Sequence, residues 1–310
     1  MKAKAAGEGQ GLGPENRSLV KDAEFEAGLL PEGLSAPAAG GVVKKAANSL
    51  WIGKGTLPCA VDRAQALAFL GHRGQQLGEN LQQRLEAAAC RCEGECNPRY
   101  TWRTFEIEPA PEGPGVALCG CGLLLPGESI AKHLAGARYA ALLVVTLGAG
   151  WQQAVQQLQA TSPTDALLYD ACASAATEGA ANDAHAALAQ AARNEGLQAR
   201  ARFSPGYGDL PLSVHPDFLE AADASRQVGV FSTERNLLAP AKSITAVVGL
   251  FAAGEAERAH DAESVGDVDS TCGAGAANER ASREAAVSQC AECAARDYCN
   301  FREAGTTCCG

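Results

Sequence analysis

The spacing of apolar and polar positions divides the chain into regions of different character. Residues 1 to about 55 scatter short apolar pieces (Leu29-Leu30, Val42-Val43) among Gly, Ala, Pro and charged residues, with no helical or strand period. That stretch reads as a flexible extension. Beyond it, Asp62 is a plausible N-cap, and apolar positions recur at Ala66, Leu67, Leu70, Leu77, Leu81 and Leu85 to about Ala89, with breaks at Gly71 and Gly74. Two helices joined by a tight corner are predicted. From Tyr100 to Ile107 aromatic or apolar residues alternate with polar ones, the period of a half-buried strand.

The middle of the chain is more apolar. Val116 to Leu125 leads to a turn at Pro126-Gly127, a helix from about Ser129 to Ala135, and a continuous apolar run from Ala140 to Leu147 that reads as a buried strand. A helix over Trp151 to Gln159 follows. Thr164 or Asp165 then opens a long Ala-rich helix that reaches about Asn194 and stops at Gly196. Its small side chains let a backbone or a ligand come close. After the loop-like stretch from Arg200 to Pro211, the pattern predicts a short helix over Pro216 to Ala221 and strand-like pieces at Gln227 to Thr233 and Ser243 to Phe251. Residues 253 to about 287 return to Ala, Gly, Glu and Asp and read as a linker.

Composition narrows the function classes. The net charge of -10 repels phosphate backbones and anionic lipid, so neither nucleic acid nor a membrane is an expected partner. No window approaches the roughly 18 apolar residues of a membrane span, and the opening Met1-Lys2-Ala3-Lys4 runs into glycine and charge instead of a secretory hydrophobic segment. A soluble, cytoplasmic protein is expected, in a compartment that keeps thiols reduced. Thirteen cysteines in 310 residues is an odd count and too sparse for a disulfide scaffold. Five of them, Cys290, Cys293, Cys299, Cys308 and Cys309, crowd into the end of the chain.

The most specific stretch is Arg202-Phe203-Ser204-Pro205-Gly206-Tyr207-Gly208-Asp209. Pro205 fixes one φ while Gly206 and Gly208 free two others, so this loop brings backbone N–H and C=O groups up to a flat ligand. Arg202 is suited to a carboxylate, through two parallel hydrogen bonds. Tyr207 adds a ring to pack and a hydroxyl to donate.

This Arg-x-x-x-Gly-Tyr stretch resembles the signature of the reactivation (activation) domain of vitamin B12-dependent methionine synthase, in its stand-alone form. The resemblance extends to Leu70-Gly71-His72-Arg73-Gly74-Gln75, Tyr100 to Ile107, Pro126 to Leu134, Thr146-Leu147-Gly148, Asp170 to Glu178, Thr233-Glu234 and Pro240 to Ala246, in order, from about 60 to 252. It implies an α+β fold, with helices around a bent, mostly antiparallel sheet. Together with the composition of the flanks, it divides the chain into four regions: extension 1–55, activation-like domain 56–252, linker 253–287 and Cys-rich tail 288–310.

The resemblance further implies a function. Such a domain binds S-adenosylmethionine in a shallow groove and presents its methyl group to cobalamin held by methionine synthase, after flavodoxin or ferredoxin has reduced Co(II). The site residues implied are Arg202 for the carboxylate of the methionine moiety, Ser204 and Pro205 for backbone contacts, Gly206 and Tyr207 to complete the signature, and Glu178 facing the sulfonium or the approaching cobalamin. Two positions depart from the pattern: Ser174 replaces a second carboxylate, and Val248 stands where a ligand-contacting tyrosine is expected.

Cys290-x2-Cys293-x5-Cys299 has a spacing that suits zinc or an iron–sulfur cluster. Cys90, Cys92 and Cys96, read as lying in a polar loop, are candidates to complete that site or to bind separately, though the resemblance does not single them out. Cys119 and Cys121 read as neighbours on one strand face and, with Cys172, as buried small hydrophobes. His133 and His185 lack a ligand partner one turn away, and only His215 lies near the signature loop. The alternative function is a metal-binding or redox accessory protein of corrinoid metabolism that no longer binds S-adenosylmethionine.

Overall fold

The computed structural model describes residues 42–46 and 49–252. The chain up to residue 41, the expected linker and the Cys290, Cys293 and Cys299 tail lie outside the described residues. In chain order the elements are strands β1 (Val42–Ala46) and β2 (Ser49–Thr56), helices α1 (Arg63–Phe69) and α2 (Glu79–Glu95), and strands β3 (Arg99–Pro109), β4 (Gly115–Leu118) and β5 (Leu124–Pro126). There follow helix α3 (Glu128–His133), strand β6 (Tyr139–Thr146), helices α4 (Gly150–Thr161) and α5 (Pro163–Asn194), and strand β7 (Leu197–Phe203). Helices α6 (His215–Ala221) and α7 (Ala224–Val228) and strands β8 (Phe231–Ser232), β9 (Leu238–Ala239) and β10 (Ser243–Ala252) complete the domain. This is the expected α+β class.

The main sheet runs β1-β2-β3-β6-β10-β7, with β4 and β5 extending from the outer half of β3, and all its pairings are antiparallel. Both faces are covered. Along β6, Ala140, Leu142 and Val144 join Phe105, Ile130, Phe203 and Phe218 in one core. Ala141, Leu143 and Val145 join Trp102, Val248 and the α5 residues Ala180, Ala181 and Ala184 in another. The continuous apolar run of β6 follows from this double burial, and the alanines of α5 set how closely that helix lies on the sheet. A third cluster fills the space between α1, α2, α4 and the first half of α5.

Helix starts were largely legible. Asp62 caps α1, accepting from the amides of Ala64 and Gln65 at 2.8 and 3.0 Å. Ser162 caps α5, with Pro163 in the first turn, a residue or two before the expected Thr164 or Asp165.

Four expectations change. The extension read over 1–55 is not structureless at its end, because Ser49–Thr56 is strand β2, whose Ile52–Thr56 pairs with Arg99–Arg103 of β3. Glycines at 53 and 55 hid the strand, yet a Cβ on Gly53 would lie only 2.0 Å from the Trp102 ring, so the missing side chain is what lets the indole cover the strand. Strand β3 is not half-buried: Tyr100, Thr101, Trp102, Thr104 and Phe105 are all buried, because β3 sits between β2 and β6 with both faces covered. The stretch from 197 to 203, polar enough to read partly as loop, is strand β7, paired with β10 and packed beneath α5. The strand-like piece at 227–233 is instead the end of α7, a left-handed Gly229 and the two-residue β8. Val228 and Val230 are buried either way, and a short apolar run does not distinguish the two conformations.

Candidate functional site

A cavity of about 200 Å³ opens where the end of β7, the following loop, the middle of α5 and the start of β10 meet. Arg202, Ser204, Pro205 and Tyr207 line it from β7 and the loop, Glu178 from α5, His215 from the start of α6, Leu238 from β9, and Ser243, Ile244 and Thr245 from β10. The sequence separates Glu178 from Arg202 by half of α5 and most of β7, and the α5–β7 hairpin folds them against each other. Their charged groups are 3.5 Å apart (Glu178 Oε2 to Arg202 Nη2), with 9% of the Arg202 side chain and 25% of the Glu178 side chain exposed.

Local geometry explains the loop. Strand β7 slips by one residue against β10 between Val248 and Leu250, a bulge directly beside the Arg202–Val248 pair. Bulges of this kind twist a strand and re-aim its side chains. Beyond Phe203 the chain turns tightly: the Gly206 amide donates to Leu210 at 2.8 Å and the Tyr207 amide to Ser204 at 3.0 Å. Gly206 and Gly208 have φ of +98° and +52°, and a Cβ on Gly208 would sit 2.4 Å from the Ser129 hydroxyl. Tyr207 packs edge-on against Phe203, their centroids 6.1 Å apart.

Asp209 ties the loop to α3 by accepting from the backbone amides of Glu128 (2.7 Å) and Ser129 (3.0 Å). Partial burial opposes its ionisation, but these amides, with the Ser129 hydroxyl, hold its carboxyl below the ordinary range.

The opposite wall is equally constrained. His215 is buried, with Nδ1 2.7 Å from the Asn236 carbonyl and Nε2 3.0 Å from the Thr245 hydroxyl. A carbonyl only accepts, so Nδ1 carries a proton and donates it to Asn236, while Nε2 pairs with the Thr245 hydroxyl. Ser243 bridges the Thr146 hydroxyl and the Pro240 carbonyl, each at 2.7 Å. Thr245 and His215 are thirty residues apart, and no local spacing in the sequence pairs them. The wall residues Leu238 and Ile244 likewise carried no chemical signal.

Arg202 is therefore the cation of the cavity and Glu178 its carboxylate, beside apolar surface from Pro205, Leu238 and Ile244. Nearby Lys242 is committed elsewhere, to Asp170 at 2.9 Å and Ser174 at 2.7 Å, over the Trp151 ring. Burial, and then the charge of Arg202, hold His185 below its ordinary pKa, while its Nε2 lies 2.9 Å from the Arg200 carbonyl. A group carrying both a carboxylate and a cation is complementary to such a cavity, since each charge meets its opposite.

Gly206 shapes the loop through its backbone. Ser174, one turn before Glu178, accepts from Lys242 and does not line the cavity. Val248 is fully buried in the core on the α5 side of the sheet. His133 packs on Phe203, ring centroids 5.1 Å apart. Cys119 and Cys121 lie in the turn after β4 and not along a strand face, whereas Cys172 is buried in α5.

Cys90, Cys92 and Cys96 are not in a loop, because α2 continues to Glu95. Cys90 is exposed, while Cys92 and Cys96 are buried beside Cys59, a residue with no local signal in the sequence. Hydrogen bonds from the Cys59 and Cys92 thiols draw Cys96 well below the ordinary thiol range. Among the described residues no helix is long and apolar enough to cross a membrane.

No protein-family model matches the chain, and no curated protein does. Among solved structures the chain is similar to the MetH reactivation domain bound to AdoHcy, with 15% sequence identity, 64% of this chain and 78% of that chain covered, and a TM-score of 0.49.

Proposed function

We propose that this cavity binds S-adenosylmethionine and that the chain acts as the reactivation component of a cobalamin-dependent methionine synthase. The observation that carries the reading is the convergence of Arg202, Ser204, Pro205 and Tyr207 with Glu178, an α5 residue far away in sequence, on one cavity. Arg202 would take the carboxylate of the methionine moiety and Glu178 would face a cationic group, the sulfonium or the amino group. The Arg-x-x-x-Gly-Tyr resemblance supports the same assignment.

Size supports it too. About 200 Å³ is less than the roughly 300–1,000 Å³ of sites that enclose a drug-sized ligand. Such a cavity would hold the amino-acid end and leave the rest of the ligand near the surface, as a methyl group destined for another protein requires. The acceptor is cobalamin carried by the synthase, and the electron comes from flavodoxin or ferredoxin. This chain's part is to bind and orient the donor.

Calorimetric titration of the full chain with S-adenosylmethionine and with S-adenosylhomocysteine tests the reading. Binding is expected, weakened by Arg202→Ala by the roughly 1.5–3 kcal/mol of a charge-assisted hydrogen bond, about 10- to 150-fold. An absence of binding to the wild type, or equal affinity in the variant, overturns it. Co-purification with methionine synthase in the presence of S-adenosylmethionine and reduced cobalamin tests the partner.

A further inference from the structure

The described residues contain one group of side chains with metal-ligating chemistry that the cavity does not use. Cys59, Cys92 and Cys96 bring their sulfur atoms within 4.8 Å of one another. Cys92 is in the last turn of α2 and Cys96 is its C-cap, so one helical turn stacks the two sulfurs 3.7 Å apart. Cys59 arrives on the segment between β2 and α1.

That segment is fastened on both sides of the cysteine. The Leu57 amide donates to the Pro98 carbonyl at 2.9 Å, and the Val61 amide donates to Glu93 of α2 at 3.0 Å. Arg63 bonds the Val61 carbonyl at 2.8 Å and also reaches Glu86 and Glu93. Neither the groove nor the core requires a third sulfur here: Cys59 is only half-buried and lies at the margin of the helical cluster.

We infer that Cys59, Cys92 and Cys96 form a binding site for a single thiophilic cation of the zinc type, with the fourth position left to solvent or an added ligand. Bonds of about 2.3 Å from a tetrahedral zinc set its sulfurs about 3.8 Å apart, a separation that Cys92 and Cys96 already show. The bound on the other pairs requires a sulfur to move by no more than about 1 Å. One ion fits these separations. An iron–sulfur cluster spreads its thiolates over several irons and needs them further apart. The three sulfurs also exclude hard cations such as Mg²⁺ and Ca²⁺, which take oxygen ligands.

Bound there, the ion would cross-link the β2–α1 segment to the end of α2 and to the helical cluster in which the first half of α5 packs. This site is independent of the S-adenosylmethionine reading, and either stands if the other fails.

The test separates these cysteines from those near the end of the chain. In a full-length variant with Cys272, Cys290, Cys293, Cys299, Cys308 and Cys309 all changed to Ser, zinc is titrated anaerobically against a chromophoric chelator. One zinc per chain is expected. Co²⁺ in its place should give an intense sulfur-to-metal charge-transfer band, a readout of thiolate ligation. Adding Cys59→Ser, at a half-buried position, should weaken zinc by more than the roughly 10–100-fold typical of losing an outer-sphere partner. Adding Cys90→Ser instead, on the same helix but exposed, should leave affinity unchanged.

Circular dichroism and a zinc-dependent rise in melting temperature, present without Cys59→Ser and absent with it, guard against misfolding as the cause. The inference is overturned if the folded six-serine chain takes up no zinc, if zinc binding survives Cys59→Ser, or if Cys90→Ser abolishes it.

Discussion

Acid should weaken the fold through one histidine beside the groove. His133 ends α3, packs on the Phe203 ring at the end of β7, and has its Nε2 atom buried without a partner among the described residues, although part of the residue reaches solvent. Burial pushes its pKa from 6.5 down to about 4; a hydrogen bond to the Ala201 backbone works against this, and the charge of Arg200 adds to it. As pH falls through 6.5 the unfolded chain takes up a proton that the native chain refuses until about pH 4. Between those values the unfolded state binds more protons, so stability drops as pH drops, and it levels off below about 4.

The gap between 6.5 and about 4, at about 1.4 kcal/mol per pH unit, corresponds to roughly 3 kcal/mol. Urea unfolding followed by circular dichroism, across a pH series from about 7 to 4, measures it against His133→Phe, which keeps a ring on Phe203 and removes the titration. His185, also held neutral by burial, titrates in both proteins and cancels in the difference. The carboxyls of Asp209 and Asp223 are held below their ordinary values and protonate below this window. The variant should lose about 3 kcal/mol less than the wild type over the series. Parallel profiles would refute the reasoning.

Three further outcomes are expected. Gly53→Ala should destabilise the protein by about 1–3 kcal/mol and alter tryptophan fluorescence, because the new Cβ displaces the Trp102 ring; an unchanged melting temperature would mean that β2 does not pack on β3 in solution. Asp209→Ala should cost about 0.5–2 kcal/mol in urea unfolding, the value of a helix N-cap, and should weaken S-adenosylhomocysteine binding by loosening the loop, whereas wild-type behaviour in both assays counts against the tether. A double-mutant cycle of Arg202→Gln and Glu178→Gln, read as unfolding free energy without ligand, should give a coupling of about 1 kcal/mol for the partly buried pair; additivity would mean that the pair does not form.

The signature loop was readable because its chemistry is local. Pro205, Gly206 and Gly208 state their backbone requirements one residue at a time, and Arg202 and Tyr207 stand in the same short stretch. Assigning Glu178 to the same cavity depended on a resemblance spread along the chain. In sequence His215 stands out only for its closeness to the loop, and its lock on Thr245 leaves no local trace because it joins α6 to β10. Cys59 is hidden for the same reason: it stands alone in sequence and meets Cys92 and Cys96 only when β2 has entered the sheet and turned the chain back over α2.

Taken alone, the sequence determined the elements whose signals are local: the Asp62 cap, the long alanine-rich α5, the buried run of β6 and the glycine-shaped turn after β7. It also determined an acidic chain, with a net charge of -10. Only the tertiary structure decided which weak patterns became strands. Gly53 makes β2 look like linker until Trp102 covers it, and β7 looks like loop until β10 pairs with it and α5 lies on top. The structure alone decided, too, that Arg202 and Glu178 face each other and that three cysteines share one corner. Backbone preferences act over a few neighbours, whereas a sheet face or a ligand cavity arises from residues that only long-range pairing brings into contact.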